Sequence, residues 1–165
     1  MNRTGLALMI FILLSSAADA ACNAMAERLW AGLKIEAWSA GPNCSQAAVT
    51  ISLRKGNGAA VWTHSYIAKQ LLNFAQINSS GTKAMAKTLG DWISGEGFMK
   101  SADALKLDGE FPFAPSEDID AATLAQYRKA KLPIFCCIQG MESGNCLAKN
   151  SDGTLIELGI QSFPG

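Results

Sequence analysis

The sequence predicts an α+β domain: a single antiparallel sheet of about five strands with helices packed on one face, in the order helix, β-hairpin, helices, β-meander. Three observations carry this expectation. Val49, Ile51 and Leu53 alternate with Thr50, Ser52 and Arg54, the period-two pattern of a strand with one buried face. Stretches with apolar residues at helical spacing stand on both sides of that strand. A nearly unbroken apolar run at 132–138 then leads into two turn signals and two further strand-like stretches.

Taken in order, 23–34 reads as a helix, because Met25, Leu29, Trp30 and Leu33 fall on one helical face. Gly41-Pro42 breaks the chain before the alternating strand at 47–54. Lys55-Gly56-Asn57-Gly58 is a hairpin signal, since Asn and Gly accept the positive φ of tight turns, and a second strand follows at 59–67. A short helical piece at 69–75 precedes a helix at 82–93, with Met85, Leu89, Trp92 and Ile93 on one side and Ser79 or Ser80 available as cap. Residues 95–115 combine Gly, Pro and acidic residues without a period and read as a long surface excursion. The stretch 118–131 reads as a helix with acidic residues at its start and Arg128, Lys129 and Lys131 at its end, which suits the helix dipole, and Pro133 stops it. The run 132–138 reads as the central strand, covered on both sides, followed by strands at 146–149 and 154–162.

Residues 1–20 carry the layout of a cleavable export signal: a basic start at Arg3, an apolar run from Leu6 to Leu14, and Ala18-Asp19-Ala20 as a small-residue cleavage site. That apolar run is shorter than the roughly 20 residues a membrane-spanning helix needs. The expectation is a signal peptide over 1–20, cleavage after Ala20, and one compact domain over 21–165 that is periplasmic or secreted. Lipid attachment at Cys22 is disfavoured by Asp19, which stands where an aliphatic residue belongs. Arg3 and Asp19 leave together, one charge of each sign, so the balance of 14 basic and 14 acidic residues stays even. A neutral domain without a basic run lacks the phosphate-neutralising footprint of a nucleic-acid binder.

An oxidising compartment makes disulfides the default for Cys22, Cys44, Cys136, Cys137 and Cys146. Cys22 is expected to pair with Cys44, and Cys146 with either Cys136 or Cys137. Neighbouring residues of a strand face opposite ways, so only one of the two can reach Cys146, and the other should be a buried thiol. A disulfide-linked dimer through the odd cysteine is a further expectation to test.

Candidate chemistry is sparse. His64, the one histidine, removes multi-histidine metal sites and stands with Trp62 and Tyr66 at period two, either as an aromatic binding platform or as the cover of a sheet face. Cys136 and Cys137 suggest a redox pair, a soft-metal site with Met141 and His64, or a Cys-His hydrolase, but their apolar neighbours Phe135 and Ile138 raise a thiol's pKa instead of lowering it. Glu117, Asp118 and Asp120 are explained by a helix start. Ser94-Gly95-Glu96-Gly97 lacks the spacing and lysine of a phosphate loop. Phe111-Pro112-Phe113-Ala114-Pro115 is a stiff apolar projection that would either anchor a partner or plug the core.

The residues thus point to an exported, non-enzymatic accessory domain without a cofactor. It would bind a protein partner or a small apolar ligand through Trp62, His64, Tyr66, Phe111 and Phe113. The alternative is a thiol-based enzyme or redox protein using Cys136 or Cys137.

Overall fold

The computed structural model describes residues 21–77, 81–94 and 99–164. The export signal, the Ser79 or Ser80 cap and all of the 94–97 loop except Ser94 lie outside the described residues. The architecture corrects the expected one: there are two antiparallel sheets instead of a single sheet with helices on one face.

The first correction falls on 23–34, which is not a helix. It is a hairpin of β1 (Ala24–Trp30) and β2 (Leu33–Ala40). Its two-residue turn is Ala31-Gly32, with φ of 47° and 79°, and positive φ at both central residues is what a turn matching the strand twist demands. Met25 and Leu29, assigned to a buried helical face, are 57% and 76% exposed. The pattern that decides the segment is Leu33, Ile35 and Ala37, apolar at period two and all buried.

After a 3-10 turn at Cys44–Gln46, β3 (Ala48–Arg54) and β4 (Ala60–Ile67) complete a four-stranded meander in the order β1-β2-β3-β4. The 55–58 turn forms as expected, with Gly58 N donating to Lys55 O. Two 3-10 turns, Ala68–Gln70 and Leu72–Phe74, stand where a short helix was expected and lead to α1 (Gly81–Ser94). The 95–115 excursion contributes two three-residue strands, β5 (Met99–Ser101) and β6 (Phe113–Pro115). Helix α2 (Ala121–Lys129) follows, capped by Asp120, whose carboxylate accepts from Thr123 N at 2.7 Å. Strands β7 (Pro133–Ile138), β8 (Ser143–Lys149) and β9 (Leu155–Ser162) finish the chain. The second sheet runs β5-β7-β8-β9-β6, so β8 is central where β7 was expected.

One face of the second sheet and the inner face of the first share an apolar core with α1. Phe135, Cys137 and Leu147 meet Ile35, Val49, Ile51, Leu53, Met85 and Leu89 there. Trp30 packs on Phe135 with ring centroids 5.8 Å apart, and Trp92 Nε1 donates to Ile138 O at 2.9 Å. The opposite face of the second sheet forms its own core, in which Ile134, Cys136, Cys146 and Leu158 pack with Leu124 of α2 and Phe113. Strand β7 therefore reads as continuous apolar sequence because both its faces are covered.

The outer face of the first sheet is polar yet partly closed. Thr50 and Ser52 are buried there, satisfied by Ser65 at 2.8 Å and Thr63 at 2.9 Å. Alternation in β3 thus separates apolar from polar faces, not buried from exposed ones. Beside these hydroxyls Glu36 accepts from Arg54 Nε at 2.6 Å and pairs with Lys34, which hold its carboxyl below the usual carboxylate range.

Candidate functional site

The cysteine pairing follows from strand geometry. Cys136 lies directly opposite Cys146 across β7 and β8, and these two are bonded. Cys22 is bonded to Cys44. Cys137 points into the shared core as a free, fully buried thiol. Burial pushes its pKa up to about 12, so the thiolate needed for nucleophilic or redox chemistry is scarce at neutral pH. With Cys136 tied up in a disulfide, neither cysteine presents a ready nucleophile. The buried position of Cys137 also keeps it from reaching a second chain. Two disulfides are consistent with an oxidising, exported setting, and among the described residues no helix is long and apolar enough to cross a membrane.

The five candidate aromatic residues separate into two places. Trp62, His64 and Tyr66 line the inner side of β4, because alternate residues of a strand share a face. Trp62 stacks on His64 with centroids 4.5 Å apart and planes inclined by 17°. The His64 and Tyr66 rings lie 6.3 Å apart, and Tyr66 meets Trp92 edge-on at 6.0 Å. Glu157 of β9 reaches this row from the other sheet. Its Oε1 accepts from Trp62 Nε1 at 2.6 Å and stands 3.8 Å from His64 Nε2. Tyr66 Oη is buried and has no hydrogen-bond partner among the described residues, and burial, with Cys137 and Glu157 nearby, raises its pKa.

Phe111 and Phe113 lie elsewhere. Phe113 is 3% exposed and plugs the second core. Phe111 is 36% exposed and walls a groove of about 270 Å³ with Leu105, Ile134, Phe163 and Pro164, over a floor that includes Cys136. Lys106 and Gln161 bring polar groups to the same groove, and Gln161 Nε2 holds Phe111 O at 3.0 Å. Ile134 and Cys136 belong to one face of the second sheet while Phe135, Cys137 and Leu147 belong to the other, so the part of the groove beside Phe111 and the β4 row lie on opposite faces, with Phe163 at the groove's wall packing against the shared core. The five residues therefore do not form one continuous surface.

Neither Glu157 nor the groove residue Gln161 stood out in the sequence, since both come from β9 and no local pattern marks them. The chain matches no family model, no curated protein and no solved structure.

Proposed function

We propose that this chain is an exported binding domain, without chemistry of its own, that takes a small apolar ligand or an apolar side chain of a protein partner into the groove beside Phe111. The supporting observation is the groove itself: a concave, mainly apolar hollow of about 270 Å³ with Lys106 and Gln161 as its polar points. That is the usual make-up of a small-ligand site, where apolar walls supply affinity and a few polar groups supply orientation. The sequestered thiols favour binding over the alternative of a thiol-based enzyme. The disulfides favour action outside the cytoplasm, where the 1–20 leader would send the chain.

The test is a titration with an anilinonaphthalene sulfonate dye, an apolar anion suited to such a groove. Phe111→Ala should weaken dye binding at least tenfold and leave the thermal midpoint within a degree or two, because Phe111 is only partly buried. Equal affinity of the variant and the parent protein would rule out the groove as the site.

A further inference from the structure

The second sheet carries another hollow, of about 380 Å³, which shares no lining residue with the groove beside Phe111. Asn145 of β8 lines it. In the strand register Asn145 stands opposite Cys137 of β7 and Ile160 of β9, and Ile160 stands opposite Ala114 of β6. Directly opposed residues of antiparallel neighbours share a face, so Asn145, Ile160 and Ala114 form one row on the Cys137 side of the sheet.

Asn145 is only 9% exposed, yet its side-chain amide makes no hydrogen bond among the described residues. An amide buried on a central strand without a protein partner is uncommon, because the lost hydration is not repaid. Gln139 brings a second amide to the hollow, and Ser116 Oγ donates to Glu157 O at 2.9 Å, which ties the segment after β6 to β9. The charge here has one sign: Glu117 and Glu157 are the charged lining residues, and no Lys or Arg joins them. Trp62 Nε1 donates to Glu157 Oε1, and His64 Nε2 stands 3.8 Å from that same oxygen, which leaves Oε2 for a ligand. Pro115 and Ile160 supply apolar wall.

We propose that this hollow binds a small aliphatic diamine as its dication. Two carboxylates on separate segments match two ammonium groups, and charge-assisted hydrogen bonds of this kind are the strong ones. Asn145 Oδ1 accepts an N–H from the ligand, which gives the buried amide its partner. The methylenes between the ammonium groups lie on Pro115 and Ile160. A bare metal ion fits less well: among the described residues no three His, Cys, Asp or Glu stand close enough to hold one, and the hollow has room for far more than an ion. This site and the groove beside Phe111 stand or fall separately.

Calorimetric titration with four-carbon probes that differ only in their ends tests it. 1,4-Diaminobutane should bind, and 1,4-butanediol and succinate should bind at least tenfold more weakly. Nα-acetyl-lysinamide, a single ammonium on a peptide unit, should also be at least tenfold weaker. Glu117→Gln with Glu157→Gln removes both charges, keeps an oxygen acceptor for Trp62 Nε1, and should weaken the diamine at least tenfold. Asp108→Asn with Glu110→Gln removes two exposed carboxylates outside the hollow and should leave its affinity unchanged, which separates a local site from the effect of net charge. Asn145→Ala should weaken the diamine at least tenfold and leave the thermal midpoint within a degree or two, since the amide has no protein partner to lose. No binding of the diamine, equal binding of the diol or of the lysine derivative, tighter binding of Ca²⁺, equal weakening by the Asp108 and Glu110 pair, or unaltered affinity in either the Glu117 and Glu157 variant or Asn145→Ala would each overturn the proposal.

Discussion

Cys137 and Glu36 show how burial decides the behaviour of single side chains. A thiol whose pKa is raised to about 12 and which has no exposed surface should ignore alkylating reagents at neutral pH until the protein unfolds. Mass spectrometry of native protein treated with iodoacetamide should find Cys137 unmodified, and full modification should appear once denaturant is added; rapid labelling of the native state would revive the thiol-enzyme reading. Glu36 shifts the other way. Its carboxyl lies lower in the folded protein than in the unfolded chain, first through Lys34 and then through Arg54, so its contribution is complete above the ordinary carboxylate pKa and fades as pH falls through the folded value. Lys34 and Arg54 are 42% and 31% exposed and can return to water, which limits the loss. Glu36→Gln should cost about 1–2 kcal/mol at pH 7 and almost nothing near pH 2, as read by urea denaturation at the two pH values.

At the scale of elements, legibility in the sequence tracked the length of the pattern. Helix α1, helix α2, the β3–β4 hairpin, β7, β9 and the Cys146–Lys149 part of β8 were legible because each carries either several turns of one period or a turn signal between two periods, whereas Ser143-Gly144-Asn145 has the composition of a turn and yet opens β8. The β1–β2 hairpin was missed because Met25, Leu29, Trp30 and Leu33 satisfy a helical spacing by coincidence, while Ala31-Gly32 is a weak turn signal beside Asn-Gly. Strands β5 and β6 span one and a half alternations each, too short for any period to register, and without them the second sheet could not be told from a meander on the first. The candidate site followed the same rule. The row of Trp62, His64 and Tyr66 was legible as period two within one strand, but Glu157, 95 residues from Trp62, joins it only through tertiary packing. Strand β6 also depends on a single glycine: at Gly159, with φ of 140°, a Cβ would stand 2.1 Å from Ala114 O. Gly159→Ala should therefore detach β6 from β9, loosen Phe113 and lower stability by about 2–4 kcal/mol, visible as a lowered thermal midpoint and a weakened near-ultraviolet circular dichroism signal.

Across the whole molecule, each disulfide serves one sheet. Cys22–Cys44 ties the start of the first meander to the turn before β3, and Cys136–Cys146 joins neighbouring strands of the second sheet. The two sheets are held to each other by packing and by hydrogen bonds such as Trp62 Nε1 to Glu157 Oε1. Cys22→Ala with Cys44→Ala, opening a loop of 22 residues, should cost about 3 kcal/mol by the chain-entropy relation; a loss below about 1 kcal/mol in urea denaturation would show that the unfolded chain is already restricted there. The neighbouring positions of Cys136 and Cys137 have a further consequence for biosynthesis. A slip of one residue between β7 and β8 would bring the wrong sulfur opposite Cys146 and turn every side chain of β7 inside out. Oxidation that runs ahead of strand alignment would seal that error covalently, so faithful maturation demands either that the hairpin zips before the oxidant arrives or that a disulfide-shuffling catalyst gives the chain a second attempt.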